Sequence, residues 1–135
     1  MVEKRYYTVQ DKEAVELLLQ HIAEHEELAI DTETTSLNPR KGKVVGWSIC
    51  GDPGTSFYIP LYVWNPETEK LEEQFIGGKS VVELTKIILK KLKGKKLIMH
   101  NGAFDTTFIL NDLGIDLLPD LWVDTVMLVH TVQEE

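Results

Sequence analysis

The sequence contains a single cysteine, Cys50, within the strand-like stretch KVVGWSIC, so no internal disulfide can form. That usage suits a reducing compartment, and a small buried side chain is the expected role of the thiol. Long apolar runs are absent too: none approaches the roughly 20 residues of a membrane span. The start, MVEKRYYTVQDKE, is too charged for a secretory signal. A soluble, cytoplasmic protein with no membrane partner is therefore expected. Positive charge is scarce, with 14 Lys and Arg against 22 Asp and Glu and a formal net charge of -8. This balance argues against coating of DNA by phosphate neutralisation, and any nucleic-acid contact must be local. Internal repeats and low-complexity tracts are also missing.

What is present fits one globular domain over residues 1–135, with 43% hydrophobic residues to fill a core. After a short strand, RYYTV, Asp11 is placed to cap a helix with Val15, Leu18, Leu19 and Ile22 at the 3.6-residue period. The runs ELAIDTET, KVVGWSICGD and TSFYIPL read as three strands, the last two separated by the turn Asp52-Pro53-Gly54. A polar loop, YVWNPETEKLEEQFIGG, leads to Ser80, which with Glu83 has the spacing of a capping box for a helix to about Leu92. From Lys79 to Lys96 the chain holds seven lysines and a single acid, Glu83. A solvated helix face, with cations favoured near its carboxyl end, accounts for this. KKLIMH is a short strand, and NGAFDTTFILNDLG a helix that Gly114 can close. DLWVD is a last strand, and TVMLVHTVQEE opens a further helix. The order predicts a mixed sheet covered by helices.

The stretch LAIDTETTSL, Leu28 to Leu37, carries the chemistry. Side chains alternate along a strand, so Asp31 and Glu33 share one face while Ile30, Thr32 and Thr34 take the other. Neighbouring carboxylates disfavour each other's ionisation, and a hard divalent ion such as Mg²⁺ or Mn²⁺, with its preference for oxygen ligands, compensates them. A solvated strand end with two harmless acids is the plain alternative. Asp105 is the third candidate acid, lying early in the helix opened by Asn101, where the dipole favours a carboxylate and where open α/β sheets place ligands. Asn101 is itself in the position of an ordinary helix cap.

IDTETTSL followed by HNGAFDTTFIL resembles the first two motifs of the DEDD (DnaQ-like) 3′-5′ exonucleases, and most resembles the proofreading domain of family A (polymerase I type) DNA polymerases. VVGWSICGDPGTSFYIPL between them, and WVDTVMLV beyond, resemble the same group, so the likeness runs from Leu28 onward. It implies an RNase H-like α/β fold, a mixed sheet of about five strands flanked by helices and truncated at its carboxyl end. It implies two divalent ions, Mg²⁺ or Mn²⁺, roughly 4 Å apart, clamping an in-line phosphodiester displacement. By position, Asp31 would bridge both ions, Glu33 would ligate the ion holding the attacking water, and Asp105 would serve the second. Thr34, Leu37, Asn101 and Phe104 occupy positions that touch terminal nucleotides in that family, Leu37 by packing on a base. The implied partners are the single-stranded 3′ end of DNA and a carboxyl-terminal remainder of the parent chain with a polymerase domain.

The family also has a fourth aspartate, in a late motif Y-x-x-x-D or H-x-x-x-x-D, which is not met here. YTVQD, Tyr7 to Asp11, has the spacing but precedes the first motif, and HTVQEE, His130 to Glu135, comes too early and has glutamate. The expectation is the front part of a longer polypeptide, weakly active or inactive alone. An RNA-trimming relative, or a non-catalytic module binding a strand or a protein, are the alternatives. IGGKS, Ile76 to Ser80, lacks the first glycine of a phosphate loop and reads as a flexible loop with a helix cap. His21 and His25 lie one helical turn apart without a visible third metal ligand, and exposed helix positions are expected of both. Trp47, Trp64 and Trp122 are expected to pack, Trp64 having the alternative of touching a strand.

Overall fold

Alternation of apolar and polar residues sets the centre of the molecule, described over residues 4–126 by a computed structural model. In chain order the elements are β1 (Arg5–Thr8), α1 (Lys12–Glu24), β2 (Glu27–Thr34), β3 (Val44–Asp52) and β4 (Thr55–Pro60). Then follow β5 (Tyr62–Asn65), β6 (Lys70–Glu73), β7 (Phe75–Ile76), β8 (Lys79–Ser80) and α2 (Val81–Lys91). β9 (Lys96–Met99), α3 (Gly102–Phe108) and β10 (Leu121–Asp124) complete the set. Six strands form one mixed sheet in the order β1-β4-β3-β2-β9-β10, against the expected five or so. β2 pairs antiparallel with β3, Asp31 opposite Ser48 and Glu33 opposite Gly46, with a register shift between Glu33 and Thr34. On its other edge β2 runs parallel to β9, Leu28 opposite Leu97.

Three crossovers join parallel strands: β1 to β2 through α1, β4 to β9 through the β5–β8 hairpins and α2, and β9 to β10 through α3. All step the same way across the sheet, and right-handed connections then set all three helices on one face. Contacts agree. His21 of α1 packs on Phe57 of β4 at 5.1 Å, and Trp47 Nε1 on β3 donates to Thr85 Oγ1 on α2 at 3.2 Å. Leu28, Ile30, Ile49, Ile59 and Leu97 fill the layer between, each such side chain contributing about 1.5–3 kcal/mol by leaving water. The opposite face carries Ala29, Asp31 and Glu33 exposed and Ser48, Cys50 and Ser56 half-buried, around an open depression of about 360 Å³. No helix among the described residues is long and apolar enough to cross a membrane.

Several local expectations are met. Asp11 Oδ1 accepts from the Ala14 amide at 2.8 Å, capping α1, and Lys90 and Lys91 occupy the last turn of α2. Gly114, at φ 75°, ends a π turn over Ile109–Leu113 that prolongs α3, its N–H bonding Leu110 O at 3.0 Å. Within that turn Asp112 Oδ2 accepts the Val44 amide at 2.9 Å, tying it to the start of β3.

Others need correction. The polar loop 62–78 contains the β5–β6 hairpin and a second, two-residue pairing of β7 with β8. Gly77 and Gly78, at φ 59° and 80°, make the tight turn of the latter, so IGGKS is a hairpin tip. Ser80 starts α2 without a capping bond, because its hydroxyl donates to Glu73 Oε1 at 2.9 Å. His21 is buried and His25 half-buried, since the His21 ring lies on Phe57 and its Nε2 accepts the Gly51 amide at 2.9 Å. Trp64 and Trp122 are exposed; Trp122 lies beneath Lys96 Nζ at 4.9 Å, a cation resting on its ring. Cys50 is only half-buried, its thiol donating to the Asp52 carbonyl at 2.6 Å. In YTVQD, Tyr7 stacks on Phe57 and Asp11 caps α1, which accounts for both residues. His130 to Glu135, and the helix opening at Thr125 beyond Val126, lie outside the described residues.

Candidate active site

β2 delivers its acids as alternation requires, with Leu28 and Ile30 buried on the helix side and Asp31 and Glu33 exposed on the other. Glu33 is held from two strands away. Tyr58 on β4 leans across β3 and donates its hydroxyl to Glu33 Oε2 at 3.1 Å. The path is open only because residue 46 is glycine: a Cβ there would lie 2.7 Å from Tyr58 Cζ. Burial first, and the hydrogen bond to Glu33 second, push the Tyr58 pKa up to about 12, so the phenol remains a donor.

Asp105 reaches β2 from the helix side. It is 3% exposed, and Thr32 Oγ1 donates to its Oδ1 at 2.5 Å, while Oδ2 is buried with no hydrogen-bond partner. Burial is the main cause lifting its pKa to about 6; the Thr32 bond opposes the rise, and the charges of Asp31 and Asp124 add to it. Asp31 and Asp105 are thus brought into electrostatic contact, while Glu33 is engaged by Tyr58. The three acids are less tightly gathered than His21, His25 and Asp52, whose ligand atoms lie within 4.8 Å of one another. The donor set nonetheless fits a hard divalent cation: it is all oxygen, and one buried carboxylate oxygen lacks a partner.

The residues expected to meet nucleotides are differently disposed. Leu37 is 86% exposed, an apolar side chain held in water by the loop after β2. Thr34 turns its hydroxyl to the Ser36 carbonyl at 2.8 Å, shaping that loop. Phe104 is half-buried against Phe108, ring centroids 5.0 Å apart. Asn101 is exposed and left-handed, at φ 63°, and its side chain makes no cap bond. Asp124 takes over that duty, its oxygens accepting the amides of Asn101 at 3.1 Å, Gly102 at 2.8 Å and Val126 at 3.0 Å.

Sequence reasoning therefore missed Thr32, Tyr58 and Asp124, which hold the acids or the start of α3. Their partners are distant in sequence, and only the glycine at 46 was a local signal. It also missed a basic loop: Arg40, Lys41 and Lys43 line a depression of about 520 Å³ with Asn111 and Asp112. The loop is ordered by Asn38, whose carbonyl accepts from Lys41 and Gly42 and whose Oδ1 accepts from Arg40 N at 3.0 Å.

A sequence profile for a family described as 3′-5′ exonuclease matches residues 6–134. A DNA polymerase I of Pseudomonas aeruginosa is 37% identical over 112 residues, covering 81% of this chain and 11% of that protein. A DNA polymerase I of Treponema pallidum is 31% identical over 105 residues, covering 58% and 10%. The chain thus spans about a tenth of the length of these relatives. Among solved structures, Escherichia coli RNase D, titled an exoribonuclease involved in structured RNA processing, shares the fold with a TM-score of 0.60. Its identity is 18%, over 93% of this chain and 28% of that one. Brucella melitensis NrnC with bound Mg²⁺ has a TM-score of 0.51 and 23% identity, over 86% and 47%.

Proposed function

Since the chain belongs to the DEDD 3′-5′ exonucleases, in the branch found in family A DNA polymerases, we propose that it removes nucleotides from single-stranded 3′ ends of DNA, as a proofreading domain does. The observation that carries this reading is the buried Asp105 carboxylate, set against β2 beside Asp31 with one oxygen unpartnered. Asp31, Glu33 and Asp105 are the cation ligands in this reading. They would hold a pair of Mg²⁺ or Mn²⁺ ions, whose positive field would activate water and steady the departing oxygen.

The chain's own residues do the rest. The Tyr58 hydroxyl fixes the rotamer of Glu33, and Thr32 fixes that of Asp105. Leu37 packs on a terminal base, with Phe104, Thr34 and the exposed Asn101 alongside. An unpaired end suits such a surface, because stacking on apolar groups needs a splayed base and is indifferent to sequence. Arg40, Lys41 and Lys43 neutralise phosphates of the incoming strand, giving local cationic charge to an acidic chain. Asp124 holds the start of α3, its oxygens accepting three backbone amides.

The test is calorimetric Mn²⁺ titration with 3′-end shortening of matched DNA and RNA oligonucleotides. Expected are Mn²⁺ binding weakened at least about tenfold in Asp31→Ala and slow, EDTA-sensitive shortening of DNA ahead of RNA. Equal Mn²⁺ affinity in wild type and Asp31→Ala overturns the reading, and faster trimming of RNA replaces DNA by RNA as the substrate.

A further inference from the structure

We infer that His21, His25 and Asp52 form a second cation site, built for a borderline d-block ion such as Zn²⁺ and separate from the acids of β2. One ring nitrogen of each histidine and a carboxylate oxygen of Asp52 lie within 4.8 Å of one another. The sequence showed the two histidines, and the fold adds the third ligand from the end of β3. Ala29 pairs with Cys50 and Glu33 with Gly46, so Asp52 lies toward the Glu27 end of β2, away from Glu33.

Hydrogen bonding fixes which atoms are free. His25 Nδ1 lies 2.6 Å from the His21 carbonyl oxygen. A carbonyl only accepts, so Nδ1 carries the hydrogen and Nε2 of the neutral ring presents its lone pair. That lone pair faces Asp52 Oδ2 at 3.4 Å. Two electron-rich atoms directed at each other require a cation or a proton between them. Metal-ligating histidines share this pattern, giving the second ring N–H to a carbonyl that sets the tautomer and orientation. Asp52 is fixed as well, since its Oδ1 accepts the Gly54 amide at 2.9 Å and leaves Oδ2 for His25. The His25 ring is seated on the backbone at Gly51, where a Cβ would come within 2.5 Å of its Cγ.

His21 completes the set from the last turn of α1, its ring centroid 4.2 Å from that of His25. Its Nε2 now accepts the Gly51 N–H, so it enters the shell by giving up that bond and is the weakest of the three ligands. Burial, and secondarily His25, hold His21 below its ordinary pKa. Two imidazoles and a carboxylate, with a position left for water, suit Zn²⁺ or Co²⁺; Mg²⁺ prefers oxygen donors and does not compete. The bound ion staples the end of α1 to the turn between β3 and β4.

The experiment uses the whole chain, stripped with a chelator, titrated with Co²⁺ by visible absorption and with Zn²⁺ by calorimetry. Expected are one equivalent of Co²⁺ with ligand-field bands, displacement by Zn²⁺, no effect of excess Mg²⁺, and full retention in Asp31→Ala. His25→Gln and Asp52→Asn should each weaken binding at least about tenfold, and metal-free melting of each shows whether it folds. As a second readout, Zn²⁺ should raise the melting temperature of wild type and not of Asp52→Asn. Absence of a saturable Co²⁺ band, or a band lost in Asp31→Ala and kept in Asp52→Asn, overturns the proposal and leaves His25 and Asp52 as an ion pair alone.

Discussion

Replacing Asp105 by asparagine probes the electrostatics of the acidic site while nearly preserving its shape. The carboxyl is 3% exposed, with one hydrogen bond from Thr32 on Oδ1 and none on Oδ2. Burial, aided by the charges of Asp31 and Asp124 and opposed by Thr32, lifts its pKa from 3.8 to about 6. A carboxyl with a higher pKa folded than unfolded binds its proton more tightly in the native state. Stability from that proton is therefore fully present below the unfolded value and is lost as pH rises through the folded one. At about 1.4 kcal/mol per pKa unit, the shift sets a ceiling of about 3 kcal/mol. Water reaching the strand end screens part of it, and a loss of about 1–2 kcal/mol is expected. Asp105→Asn carries no charge and escapes the loss. In EDTA at about pH 7.5 it should melt several degrees above wild type, with the gap shrinking to about a third by about pH 4.5 and closing below the unfolded value of 3.8. Differential scanning calorimetry across that range reads the difference, and the titration of His21 is common to both proteins and cancels. A variant less stable than wild type at the upper end refutes the reasoning, because the buried carboxylate would then have a compensating donor.

Tyr58→Phe removes the hydroxyl that orients Glu33; melting should shift by no more than about 1 kcal/mol in stability, while DNA shortening slows about five- to tenfold. Gly46→Ala should slow it similarly by displacing the Tyr58 ring, at a further cost of about 1–3 kcal/mol in urea denaturation; unchanged rates in both variants would show that Glu33 needs no anchor. Leu37→Ser should leave the melting temperature unchanged, since the side chain is 86% exposed, and weaken binding of a single-stranded oligonucleotide several-fold by fluorescence anisotropy. Asp124→Ala removes the acceptor for three backbone amides and should cost about 1–2 kcal/mol, as loss of a helix cap does, read as a lower urea midpoint.

The acids of β2 were legible because strand alternation is a local rule: Leu28 and Ile30 face the core, and Asp31 and Glu33 must then face away. Asp11 and Gly114 were legible for the same reason, each acting within one helical turn. Tyr58 was not, since its reach to Glu33 depends on the register of three strands. Asn101 fails as a cap because its left-handed backbone leaves the amides to Asp124, 23 residues on. The β5–β6 hairpin escaped notice because β6, all exposed, has no apolar stripe to betray it. Asp52 joins the histidines across 27 residues, a distance that spacing alone cannot bridge.

The widened turn at Ile109–Leu113 sets a rotational phase. One added residue in a helix turns everything after it by about 100°, and here Ile109 and Leu113 are buried while Asp112 grips Val44. Excising a residue from this turn would restore an ordinary helix yet swing Asp112 off Val44, loosening the point from which β3 is aligned against the carboxylate strand. A deletion in a turn that holds none of the three acids would then act as a misalignment of the acids themselves.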